Sequence, residues 1–189
     1  MDVIDSPEQQ RDYTSTPTRP AGVRWGFISG MVGVILALAL HLAGMTNMSS
    51  SWDWSKFLGT GITLFLAYKG FEQFKMTDNG GFMSLGQAMR VSMWMSLVSG
   101  LLTGLYMMLY IGVLEPDFKE KTMQVAMEQA AENGQDPEQV EQGMNMMSWV
   151  FDPIPMAAMV VIGSLFFGLI MGLIYGLIMR RDPPSAFSR

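Results

Sequence analysis

Four long apolar stretches, separated by polar segments, dominate the chain. They cover residues 25–45, 57–74, 91–114 and 154–179. The first, third and fourth contain no Asp, Glu, Lys or Arg. Each of these three is at least as long as the roughly 20 residues that a helix needs to cross a bilayer core of about 30 Å. The pattern therefore predicts a transmembrane helix in each of them.

The second apolar stretch is weaker, because its uncharged run covers only residues 57–68. At the usual helical rise of about 1.5 Å per residue, that run spans about 18 Å. Lys56 and Lys69 flank it, and their long side chains can reach the headgroup layer. Trp52 and Trp54 lie just before it, where an aromatic belt is expected. We predict a fourth transmembrane helix here, with a re-entrant segment as the alternative.

These segments predict an all-α fold of the polytopic membrane class. Four transmembrane helices are predicted within a membrane domain over residues 22–182, at 25–45, 54–74, 88–114 and 154–179. An extracytoplasmic helical hairpin is predicted between helices three and four, at 115–152. Residues 1–21 combine three prolines with polar and charged residues, which predicts a disordered N-tail. Residues 183–189 form a short C-tail.

Two helix signals lie within the predicted hairpin. Asp136 precedes Pro137, and Gln139 follows where its side chain can reach back as in a capping box, a pattern typical of a helix start. An apolar stripe at helical spacing follows, formed by Val140, Met144, Met147 and Phe151. A companion helix over residues 117–132 is predicted to end at the Asn-Gly pair at 133–134.

Composition agrees with this class of protein. The chain is 49% hydrophobic and only 15% charged, and its mean hydropathy is +0.23, which is high for a soluble domain. It contains no cysteine, so disulfides, thiolate nucleophiles and cysteine-based metal sites are excluded.

The distribution of charge predicts the orientation, because basic residues near helix ends favour the cytoplasmic side. Nine basic residues lie on the side of the two tails and the second connection: Arg11, Arg19, Arg24, Lys69, Lys75, Arg90, Arg180, Arg181 and Arg189. Only three lie on the other side: Lys56, Lys119 and Lys121. We therefore predict that both termini are cytoplasmic. The third connection has nine acidic residues against two lysines, a net charge of −7, and is a poor partner for nucleic acid.

Small residues recur at a spacing of four in three of the predicted spans. They are Gly26 and Gly30 in helix one, Ser96, Gly100 and Gly104 in helix three, and Ser164, Gly168, Gly172 and Gly176 in helix four. This spacing puts small side chains on one helix face, where the backbones of two helices can approach closely. The pattern predicts close packing and leaves open whether the partner is within the chain or in a second copy.

The stretch "DNGGFMSLGQAMR" before helix three combines a turn signal with a helix start. Ser84 is followed three residues later by Gln87, the spacing of a capping box, so the helix is predicted to begin at about Leu85. Arg90 is expected to extend its guanidinium to the cytoplasmic interface as a membrane anchor. The "NGG" alone predicts a chain reversal and no nucleotide loop, because no strand precedes it.

No catalytic, cofactor or metal site emerges from the residue types. His41 is the single histidine, and we expect a neighbouring group to satisfy it, since no acidic residue lies in the uncharged core of a span. The 20 methionines could in principle bind Cu(I). Without cysteine, adaptable packing is the better interpretation of them. We expect a non-enzymatic protein without a cofactor or a metal.

The segments "NGGFMSLGQAMR", "LEPDF" and "GQDPEQVEQ", with the final glycine-rich helix, carry a family resemblance. Over about residues 20–184 the chain resembles an uncharacterised family of small bacterial membrane proteins, domain of unknown function 4199, found mostly in the Bacteroidota. The resemblance implies a four-helix protein of the bacterial inner membrane and supplies no catalytic residue, cofactor or substrate.

These observations predict an integral membrane protein that acts as an accessory or scaffold subunit. It would associate through its glycine faces, with itself or with other membrane subunits, in the lipid bilayer. The alternative is a small oligomeric transporter or channel, in which the acidic hairpins form a cation-attracting vestibule. Spans with no polar lining count against this alternative.

Overall fold

The computed structural model describes residues 13–44 and 54–182, and over these residues the protein is built from helices. The six α-helices described are α1 (Arg19–Leu42), α2 (Trp54–Gln73), α3 (Leu85–Leu109), α4 (Phe118–Glu132), α5 (Pro137–Met147) and α6 (Pro153–Met179). Short π-helical turns, Phe74–Asp78 and Tyr110–Leu114, extend α2 and α3, and a 3₁₀ turn, Ser148–Phe151, precedes α6.

Three of the described helices are long and apolar enough to cross a membrane. They are α1, α3 with its extension to Leu114, and α6, with mean hydropathies of 1.9, 1.9 and 2.5. Between 11% and 22% of the residues in their apolar windows are buried, so most of these side chains are at least partly exposed. Outward-facing apolar side chains suit a lipid surround. The 20-residue α2 is not among the three, because Lys56, Lys69 and Glu72 lower its apolarity.

Helix α3 is the centre of the bundle. It runs parallel to α1, because Gly22 of α1 lies against Trp94 and Gly30 lies against Leu102. It runs antiparallel to α6: Gly104 of α3 lies against Ala157 at the start of α6, and Gly176 near the end of α6 lies against Leu85 and Ala88.

Helix α2 lies beside α1 and runs in the opposite direction. Gly59 near its start is next to Leu36, and Gly70 near its end is next to Trp25. The Trp25 indole N–H donates to the Gln73 side chain at 3.0 Å. The bundle therefore has two ends. The tail end holds the start of α1, the α2–α3 connection and the end of α6, and the loop end holds α4 and α5.

The start of α1 differs from the prediction of a disordered tail over residues 1–21 and a first span at 25–45. Residues 1–12 lie outside the described part, but α1 begins at Arg19 with Pro20 in its first turn, where a missing backbone N–H costs nothing. Thr18 and Ala21 are buried. The segment from 13 to 21 therefore belongs to the packed tail end, and α1 ends at Leu42.

The other boundaries lie close to those predicted. Helix α3 begins at Leu85 and, with its extension, ends at Leu114, and α6 covers Pro153–Met179. Helix α4 ends before Gly134, which has a left-handed φ of +69°. The Asp136 carboxylate caps α5 by accepting the Glu138 backbone N–H at 3.1 Å, so the cap bond goes to Glu138 and not, as in a capping box, to the third helical residue.

Helices α4 and α5 contact each other at the loop end. Phe118 and Ala130 of α4 are buried. The apolar stripe predicted along α5 is only partly covered, since Met147 is 61% exposed and the adjacent Met146 is 80% exposed. The loop end therefore presents apolar surface outside the central bundle.

Candidate functional site

Glycines let α1 approach α3 closely. An added Cβ at Gly26 would lie 2.6 Å from the Met95 carbonyl oxygen and 2.9 Å from the Met95 Cα. At Gly30 the added atom would lie 2.8 Å from the Leu102 side chain. All three distances are too short for a real Cβ, so α1 and α3 approach each other closely here. The predicted small face of helix one is occupied by α3.

The small faces of α3 and α6 meet each other along their length. The Ser92 hydroxyl donates to the Gly168 carbonyl at 2.6 Å, and the Ser164 hydroxyl donates to the Ser96 carbonyl at 3.1 Å. The remaining predicted members of these faces lie in the same interface: Gly100, Gly104, Gly172 and Gly176. The spacing left open whether these faces pack within the chain or against a second copy. In the described residues they pack against helices of the same chain.

A cavity of about 210 Å³ lies between α1, α2, α3 and α6, near the middle of each. Its wall is apolar for the most part, but seven side chains that line it carry hydroxyl groups: Ser29, Thr63, Ser92, Ser96, Ser99, Thr103 and Ser164. None of its lining residues is ionisable. The expectation that the spans lack a polar lining is therefore wrong.

The cavity is enclosed in its tail-end part and open to the surroundings of the bundle in its other part. Phe71, Ser92, Met95 and Met171 line its tail-end part and are buried, with Phe71 fully so. The residues that line its loop-end part are exposed, namely Gly33, Thr63 and Thr103. The cavity is therefore accessible from outside the bundle beside these three residues.

Most of the hydroxyl protons are already used within the protein. Ser29, Thr63 and Ser99 donate to carbonyls of their own helices, at 3.2, 2.9 and 3.4 Å. Ser92 donates across the α3–α6 interface, and the Ser164 hydroxyl lies within hydrogen-bond distance of the Val161 carbonyl of its own helix, at 2.7 Å, and of the Ser96 carbonyl across the interface, at 3.1 Å. A hydroxyl that donates its proton keeps lone pairs that accept. The cavity wall is therefore richer in acceptors than in donors.

A stripe on α3 could have revealed this lining from the sequence. Ser92, Ser96, Ser99 and Thr103 recur at i, i+4, i+7 and i+11, which places them on one helix face. Of these four residues, only Ser96 belongs to the series of small residues spaced by four, where it was predicted to be a packing residue. A row of hydroxyl groups on one face of an uncharged span could therefore have predicted a polar cavity beside that helix.

Beyond the floor of the cavity, at the tail end, Asn79 and Gln87 form a buried polar pair. The Asn79 amide donates to the Phe82 carbonyl at 2.8 Å and to Gln87 Oε1 at 3.3 Å. The same Gln87 oxygen accepts the Ser84 backbone N–H at 3.0 Å, and Gln87 Nε2 donates to the Tyr13 carbonyl at 2.7 Å. One glutamine thus joins the N-tail, the α2–α3 connection and the start of α3.

Ser84 and Gln87 form both bonds of a capping box, since the Ser84 hydroxyl accepts the Gln87 backbone N–H at 3.3 Å. Arg90, the predicted anchor, is exposed. The α2–α3 connection also contacts the segment that follows α6, because Met83 and Arg181 exchange backbone hydrogen bonds of 2.9 and 3.0 Å. The Lys75 ammonium donates to the Met179 carbonyl at 2.9 Å. Both tails are therefore tied to the segment that closes the tail end.

His41 lies at the loop end, edge-on to Tyr110, with ring centroids 5.2 Å apart. Its Nδ1 is buried and has no hydrogen-bond partner among the described residues, so the expectation of a satisfied histidine does not hold for this nitrogen. Nearby, the Lys121 ammonium hydrogen bonds to Glu115 and lowers the pKa of that carboxyl group from its ordinary value.

A metal-binding cluster of three or more His, Cys, Asp or Glu residues is not found in the described ranges. Comparison with known proteins identifies a family but no activity. A family model described as "Protein of unknown function (DUF4199)" matches residues 24–181. No curated protein and no solved structure matches the chain.

Proposed function

This chain belongs to the family of proteins of unknown function DUF4199, and we propose that it is a four-span membrane protein that binds a small solute in its hydroxyl-lined cavity. The cavity is the observation that carries the proposal. It lies near the middle of the spans, where membrane transporters bind their substrates. Its polar groups converge in an otherwise apolar wall, which is typical of small-molecule sites.

The fourth span in this proposal is α2. Because α1 and α3 run parallel, both can cross the bilayer only if the chain between them returns to the starting side. Helix α2 runs antiparallel to α1 along the part of α1 between Trp25 and Leu36. With 20 residues it is about 30 Å long, enough for the hydrocarbon core. Phe57, Leu58 and Phe65 are more than half exposed, as lipid-facing side chains would be.

The proposal also includes the orientation and the membrane. The excess of basic residues at the tail end favours a cytoplasmic location for both termini, in the bacterial inner membrane. The acidic segment between α3 and α6 would then be extracytoplasmic. No group in the cavity wall can act as an acid, base or activated nucleophile, so the proposal is binding or transport rather than catalysis.

A thermal-shift screen of small neutral metabolites tests the proposed binding. Gly33 lines the cavity, and an added Cβ there meets nothing within 4 Å, so we expect Gly33→Leu to place apolar bulk at the cavity wall. Gly163 also has open space but does not line the cavity, which makes Gly163→Leu the matched control. We expect compounds that stabilise the wild type and Gly163→Leu but not Gly33→Leu. If no compound depends on the cavity in this way, the proposal fails.

An accessory subunit is the second candidate, and the apolar surface at the loop end favours it. Met146, Met147 and Trp149 are each more than 60% exposed, and such a surface suits a partner subunit or the membrane interface. The glycine faces lend less support, because they already pack against helices of the same chain. Crosslinking in cells through a photoreactive group at Met146 would test this role. Crosslinks to lipid alone would count against it.

A further inference from the structure

We propose that the cavity selects a small uncharged molecule with an apolar body and at least one hydrogen-bond donor. This inference rests on the proposed binding function and adds the chemical class of the ligand. It follows from three properties of the wall: the direction of its hydrogen bonds, its lack of charge, and its shape.

The direction of the hydrogen bonds sets the polarity of the ligand. The hydroxyl protons of Ser29, Thr63 and Ser99 are donated to carbonyls of their own helices. Their oxygens therefore offer lone pairs to the cavity and no protons. A ligand that only accepts hydrogen bonds would find few donors. A ligand that carries an O–H or N–H group would find several acceptors.

The lack of charge excludes ions. No ionisable side chain lines the cavity, and moving an ion from water into such a site without a counter-charge is costly. An anion would also meet the negative ends of the hydroxyl dipoles. A neutral molecule avoids both penalties, so the acidic segment outside the cavity is not needed to attract the ligand.

The shape of the cavity sets the size and the apolar character of the ligand. Its volume of about 210 Å³ exceeds the roughly 150 Å³ of an engineered cavity that binds benzene. Phe71, Phe167 and Met171 supply an apolar wall at the closed end and on the α6 side. A single small ring, or an aliphatic chain of similar bulk, with one polar end fits this arrangement.

A matched pair of probes tests the ligand class. 4-Fluorophenol and 4-fluorotoluene have nearly the same shape, and only the first donates a hydrogen bond. Their binding to the full chain in lipid nanodiscs is followed by ¹⁹F NMR, after correction for partition into nanodiscs without protein. We expect 4-fluorophenol to bind about fivefold more tightly, the factor that one net hydrogen bond provides. The anion 4-fluorobenzoate should not bind in the cavity.

Three variants make the result specific. Combining Ser29→Ala, Thr63→Val and Ser99→Ala removes three of the seven hydroxyl groups in the wall while the inter-helix bonds of Ser92 and Ser164 remain, and should reduce the fivefold preference. Gly33→Leu should abolish the binding of both probes, and Gly163→Leu should abolish neither. Equal binding of the phenol and the toluene in the wild type, or tight binding of the benzoate, would overturn the ligand class and leave a binding cavity. Binding of neither probe would overturn the ligand class, and if the thermal-shift screen also failed, the binding function.

Discussion

Gln87 shows how one side chain can hold several segments together. It is buried, and it hydrogen bonds to Asn79, to the Ser84 backbone and to the Tyr13 carbonyl. A helix cap usually satisfies only its own helix end. Here the same residue also satisfies backbone groups of the N-tail, so the cap is part of the tertiary structure of the tail end.

Truncation of this side chain should destabilise the protein. Gln87→Ala would remove the hydrogen-bond partner of the Tyr13 carbonyl and of the Ser84 backbone N–H, which costs about 1–3 kcal/mol. Gly86→Ala is the control, since Gly86 is exposed and an added Cβ there meets nothing within 4 Å. Unfolding by SDS titration in mixed micelles measures both. An unchanged midpoint for Gln87→Ala would show that the buried network contributes little.

At the scale of the elements, local signals predicted where helices begin and end. The capping pattern at Ser84 and Gln87 and the left-handed Gly134 each act within a few residues, so their effect can be read from adjacent positions. Local signals do not predict which helix packs against each face. Spacing by four shows that a face is small, but which helix covers it depends on how all the helices pack, and the sequence leaves this open.

The glycine contacts predict a sharp difference between two positions on α1. Gly26→Ala would press a methyl group against the Met95 backbone, and overpacking against a backbone that cannot yield costs about 1–3 kcal/mol. Gly33→Ala, two turns away, meets open space and should leave stability unchanged. The same SDS titration distinguishes them. Equal effects of the two substitutions would contradict the packing of α1 on α3.

The path of α2 predicts on which side of the membrane its two flanking connections lie. Ala43 at the end of α1 and Asp78 after α2 are both exposed, and the chain has no cysteine of its own. In intact spheroplasts, an impermeant maleimide should label the variants Ala43→Cys and Glu132→Cys. It should label Asp78→Cys only after lysis. Labelling of all three in intact spheroplasts would mean that α2 re-enters the same side and does not cross.

At the scale of the whole molecule, the bundle combines two tight interfaces with one loose one. Helix α3 packs closely on α1 and on α6, where glycines bring the backbones together. Helix α2 contacts α6 through fewer groups, among them the Tyr175 hydroxyl, which donates to the Leu64 carbonyl at 3.0 Å. The cavity lies beside this looser helix. The sequence could not predict the cavity, because a cavity depends on how all the helices pack. The hydroxyl stripe on α3 did indicate one of its walls.

The central claim, a polar cavity inside the spans, is tested most directly by the reactivity of a cysteine placed in it. Thr103 lines the cavity in its open part, whereas Leu101 is half exposed and does not line it, although it lies at a similar depth on the same helix. A thiol reacts as its thiolate, which forms poorly in hydrocarbon. With a small methanethiosulfonate reagent in nanodiscs, Thr103→Cys should react at least about tenfold faster than Leu101→Cys, and adding Gly33→Leu should remove the difference. Equal rates for the two cysteines would contradict the account.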